Sequence, residues 1–197
     1  MIQSFVDLYN IINAKIFLLS MLLFFTGYAI APTAYYKKIK WLTAYPFFII
    51  KLIDKHFKND WHPLKIFLIL FALNSLSLFL NLLSAWGVVL PFLFIIYLGI
   101  NIGIVMYHSM AGKFYYFSLL NPVAMLELPA AWLSIAMAIQ FSLNYFFGIS
   151  LTENVGFSDY VYFYSIFILP LMALAGIIET ALIVFARNKG DESDKEN

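Results

Sequence analysis

Two carboxylates and two amides sit where an apolar chain has least use for them. Glu127 lies in NPVAMLELPAAWLSIAMAIQFSLNYFF, residues 121–147, and Glu179 in the run from Tyr162 to Ala186. Asn74 and Asn101 lie in two further apolar runs. An ionisable side chain is costly in hydrocarbon, so one that is kept there has a partner or a use. Low dielectric favours the neutral form of a carboxyl group, and two carboxyls close together can share one proton. Asparagine amides can donate hydrogen bonds to both. Pro129 adds a polar group of another kind. It has no N–H, so the carbonyl of Met125 loses its helical partner beside Glu127. Pro122 marks a chain break just before. A kink next to an acid can line a polar cavity or a cation site. The same residues also suit a plainer role, in which glutamate and asparagine on neighbouring helices bond to one another and fix the packing.

Other chemistries find little footing. The chain has no cysteine, which excludes disulfides and thiolates. His56, His62 and His108 form no metal-ligand spacing. There is no HExxH, no GxSxG, no GxGD and no glycine loop for a nucleotide. We therefore expect no catalytic residue, no metal and no cofactor. A net charge of +1 gives no reason to expect a nucleic-acid partner.

The elements that must position these residues follow from composition. Of 197 residues, 63% are hydrophobic and only 12% charged, about half the charge of a soluble domain. Most of the surface must face lipid. The expected fold is all-α: a polytopic helical membrane protein of five transmembrane helices with interfacial or re-entrant helices. One transmembrane domain covers 1–190, with spans near 16–36, 64–85, 88–110, 123–147 and 162–186, and a disordered tail covers 191–197. Pro32 is expected to kink or end the first span. Residues 41–53, WLTAYPFFIIKLI, reach only about 20 Å as a helix and belong in the interface. So does the segment before residue 15, with Phe5, Leu8, Ile11 and Ile12 on one face. Residues 114–147 are too long for one span and break at Asn121-Pro122, leaving 114–121 interfacial or re-entrant.

Lysine placement sets the orientation. Seven lysines from Lys37 to Lys65 make the 37–63 loop cytoplasmic, and alternation then puts the N-terminus outside and the C-terminus inside. Counting back from Lys65, His108 and Arg187, helix rise places Asn74, Asn101 and Glu179 about 13, 10 and 12 Å from the inner face. Glu127 starts its span at the same side. Four helices can thus contribute to one polar cluster. Gly99 and Gly103, in GINIG, leave a flat groove for another helix, with Asn101 on the opposite side.

These motifs together resemble the stage II sporulation protein M family of integral membrane proteins. The resemblance rests on Asn74 to Asn81 with the Gly87 exit, Pro91 and the Gly99–Gly103 motif, on Glu127-Leu128-Pro129-Ala130, and on ALAGIIET, residues 173–180, ending at Glu179 and Thr180. It spans roughly residues 64–186. The resemblance implies a non-enzymatic membrane subunit or scaffold, a SpoIIM-like protein that works with a membrane-associated partner protein or ATPase, and because five spans are few to enclose a path alone a homodimer is expected on any reading. The alternative is a small transporter or channel for a proton, ion or solute, working through Glu127 and Glu179.

Overall fold

The computed structural model describes residues 11–56, 61–152 and 155–193. The segment before Ile11, residues 57–60 of the polar loop, Glu153 and the last four residues of the tail lie outside the described part.

Five helices are long and apolar enough to cross a membrane: Ala14–Tyr36, Pro63–Trp86, Leu90–Ser109, Ala124–Phe147 and Phe157–Arg187. In chain order the elements are α1 (Ala14–Tyr36), α2 (Lys40–His56), α3 (Pro63–Leu83), α4 (Leu90–Ser109), α5 (Ala124–Phe147), α6 (Phe157–Phe163) and α7 (Leu169–Ser193). Short 3₁₀ turns follow α3 at Ser84–Trp86 and precede α5 at Tyr115–Leu120. A π-helical turn at Tyr164–Ile168 joins α6 to α7.

α5 is the axis of the bundle. It packs against α1, α3, α4 and α7, and the stretch from Ala130 to Gln140 is buried at every position but Leu133. The sequence explains the choice. PAAWLSIAMAIQFS carries four alanines and two serines, and small side chains let helices approach closely where lipid offers no hydrophobic drive. One large residue interrupts them: Trp132 fits among the rings of Phe17, Phe24 and Phe25 from α1.

α1 and α4 form the most extensive helix pair. Their contact is made by glycines from both sides. A Cβ at Gly99 would overlap the Phe24 carbonyl, one at Gly27 the Ile96 carbonyl, and one at Gly103 the Ala31 methyl. The GINIG groove is therefore filled by α1 of the same chain.

Prolines shape the rest. Pro32 neither ends nor interrupts α1, which runs on to Tyr36. Its missing N–H would orphan the Tyr28 carbonyl, and the Tyr115 hydroxyl donates to that carbonyl instead. Pro170 lies one turn after the start of the π-helical stretch, whose wider turn relieves the clash a proline makes with the carbonyl four residues back. The last span starts at Phe157 rather than near 162. The Asp159 carboxylate accepts from the Gly156 N–H at 2.9 Å and caps the helix ahead of the apolar run. At the other end α7 continues to Ser193, into the segment expected to be disordered. Gly190 costs a helix only about 1 kcal/mol, and no proline follows it.

Candidate functional site: the Asn74–Glu127–Glu179 cluster

α3 and α5 run side by side in the same direction, and two hydrogen bonds fix their register. Ser134 Oγ donates to the Leu78 carbonyl at 2.6 Å. One and a half turns away, Asn74 Nδ2 donates to Glu127 Oε1 at 2.5 Å. α7, which carries Glu179, packs on both helices. Gly176 of α7 faces the Phe67 ring and the Phe71 Cβ of α3. Asn74 and Glu127, both singled out from the sequence, are thus joined across two helices.

Glu127 sits in the first turn of α5, where the helix dipole favours a negative side chain. The turn is set by Asn121. Its Nδ2 donates to the Ser118 carbonyl at 2.7 Å and its Oδ1 accepts from the Ala124 N–H at 2.8 Å. Pro122 follows at an exposed position, and Pro129 stands inside the helix one turn later. Asn101 is buried on α4, and its Oδ1 has no hydrogen-bond partner among the described residues.

Glu127 and Glu179 are each half-buried rather than enclosed. No buried Glu/Glu site supports the channel or transporter alternative here. The Asn74–Glu127 and Ser134–Leu78 bonds join α3 to α5. Among the described residues, no group of three His, Cys, Asp or Glu side chains could hold a metal ion.

Two further polar knots went unnoticed in the sequence. Gln140, nearly fully buried, accepts from the Asn13 N–H at 2.6 Å and donates to the Ile11 carbonyl at 2.9 Å and to the Tyr160 hydroxyl at 3.1 Å. It ties the chain ahead of α1, and α6, to the axis. Its signal was the same as that of Glu127, a lone polar side chain in an apolar helix. The second knot is a tyrosine clasp. Tyr28 and Tyr115 stack with ring centroids 4.4 Å apart. Each hydroxyl donates to the other's backbone carbonyl, at 2.8 and 2.5 Å. Burial, with Tyr28 beside it, pushes the Tyr115 phenol above its ordinary range and keeps it a donor. A Cβ at Gly103 would collide with this hydroxyl, so that glycine serves the clasp as well as α1.

The sequence profile of one family, described as Stage II sporulation protein M, matches residues 16–182. No curated protein and no solved structure matches the chain. The family match takes in all five spans but for the ends of the first and last. The chain therefore belongs to the stage II sporulation protein M family, as a non-enzymatic, multi-pass membrane protein of that type.

Proposed function

We propose that this protein is an assembly subunit of the membrane, which pairs with a second copy of itself and holds a membrane-associated partner, an ATPase being one candidate. The observation that carries this reading is the Asn74–Glu127 bond. The acid that most suggested a transport path is engaged in joining α3 to α5. The glycine groove is filled by α1 of the same chain and is closed to a partner helix. What remains for assembly is the outward surface. Along α1, Thr26, Ala29 and Thr33 are exposed at helical spacing and form the floor of a groove flanked by Leu22, Phe25 and Ile30. Small residues at that spacing suit a second membrane helix. The proposed orientation keeps the 37–63 loop and the C-terminus in the cytoplasm and the N-terminus outside, and the lysine distribution supports it.

Reconstitution separates this role from transport. The wild-type protein and the Glu127→Gln and Glu179→Gln variants are placed in vesicles, and proton and cation flux are followed under an imposed gradient. Assembly predicts no flux above empty vesicles for any of the three. Flux in the wild type that either substitution abolishes would overturn it.

A further inference from the structure

We infer that the end of the bundle carrying α2 and the 110–120 loop is a binding surface for the headgroups of anionic phospholipids. α2 presents two different faces. Leu42, Thr43 and Pro46 are buried against the bundle, while Trp41, Tyr45 and Phe48 point outward, Trp41 with 74% of its surface exposed. Between Lys40 and Lys51 the apolar run is ten residues, about 15 Å of helix and half of a bilayer core. A helix of this length with exposed aromatic rings and lysines at its ends suits the headgroup layer.

A second patch lies at the same end. Tyr35 of α1 contacts both Phe47 of α2 and Tyr107 of α4, and Tyr107 in turn packs on Tyr115. The loop after α4 is held in an unusual shape: Ala111, Gly112 and Phe114 all have left-handed backbone, with φ of 49°, 75° and 53°. A Cβ at Gly112 would strike the Tyr107 hydroxyl. Left-handed alanine and phenylalanine are strained, at a cost of order 1–3 kcal/mol each. In this loop Phe114 has 78% of its surface exposed, next to Tyr116 and Phe117, which are exposed as well. A surface groove runs beside these rings, between Pro32, Tyr107 and Gly112.

Charge decides the occupant. Lys37, Lys38, Lys40 and Lys51 are exposed, and Lys113 stands in the strained loop. Neither 37–51 nor 108–120 contains an aspartate or glutamate. Apolar rings set among lysines, with Asp54 the one acid of α2 and Lys55 beside it, match a surface that is oily below and negative above, which is an anionic leaflet.

The test uses the full-length protein in detergent with added phosphatidylglycerol or phosphatidylcholine, and native mass spectrometry reads the lipid retained. The variant replaces Lys37, Lys40 and Lys51 by Gln. Lys38 is kept because its left-handed backbone (φ 47°) forms the turn between α1 and α2. A second variant replaces the same three lysines by Arg, and thermal unfolding confirms that all three proteins are folded. The wild type is expected to prefer phosphatidylglycerol. Each lysine near an anionic surface contributes about fivefold, so the Gln variant should lose at least about tenfold of that preference and the Arg variant little. No preference in the wild type overturns the inference. So does a preference unchanged by Gln, or one lost equally with Arg. Displacement of the lipid by millimolar inorganic phosphate would reassign the surface to free anions.

Discussion

At the scale of single residues, the polar side chains of this protein are best understood by what each would leave behind if removed. Glu127 offers Oε1 to Asn74, and a glutamine offers the same oxygen. Glu127→Gln should therefore unfold at nearly the wild-type midpoint when melted in detergent. Asn74→Ala removes the donor and should cost about 0.6–2 kcal/mol, the range for interhelical hydrogen bonds in membranes. Gln140→Leu should cost more than either, because it strands the Asn13 N–H and the Ile11 carbonyl as well as the Tyr160 contact. That ranking is checked by one set of thermal melts. Finding Glu127→Gln the most damaging of the three would mean that its charge matters in a way the hydrogen bond does not explain.

At the scale of elements, what was legible in the sequence was what depends on composition along one helix. The five spans and the break at Asn121-Pro122 are written in hydropathy and proline. Counting helix rise from the basic ends put Asn74 and Glu127 toward the same side, and the two are bonded. What was not legible depends on the angle between helices. Helix rise gave Asn101 a depth, but depth says nothing about which way a side chain turns on its axis. GINIG announced a close contact without saying with what, because Gly27, its counterpart on α1, is a single glycine in an ordinary apolar run. Tyr115 answering the carbonyl freed by Pro32 could not be foreseen from either segment alone. This pairing predicts an asymmetry. Gly99→Leu drives a side chain into the Phe24 carbonyl, backbone that cannot yield, and should prevent α1 from docking on α4. Tyr28→Phe keeps the stacked ring and loses only the hydroxyl, so the spans should stay assembled while the 110–120 segment loosens. Hydrogen exchange would show the first as loss of protection along α1 and α4, and the second as loss confined to 110–120. Equal and global loss in both would mean that the clasp and the glycine contact are one cooperative unit.

At the scale of the whole molecule, the inside is largely self-sufficient and the outside is where function must be sought. α5 is enclosed by its neighbours, whereas α1 turns Leu18, Leu22, Phe25 and Ile30 outward along its length. In lipid such a face has no hydrophobic reason to pair, so pairing depends on close fit, and the groove over Thr26, Ala29 and Thr33 supplies the shape. A second copy seated there would contact the first through the same residues, as two-fold symmetry requires. Replacing Ala29 by Leu fills the groove without touching the Gly27 face, which lies on the buried side of α1. The expected outcome is a shift from dimer to monomer, read by light scattering of the purified protein in detergent, with an unchanged melting midpoint. A dimer that survives Ala29→Leu must use another face. A wild type that is monomeric across a hundredfold range of protein-to-detergent ratio would leave the α1 groove to lipid and move the search for a partner to the lysine-bearing end.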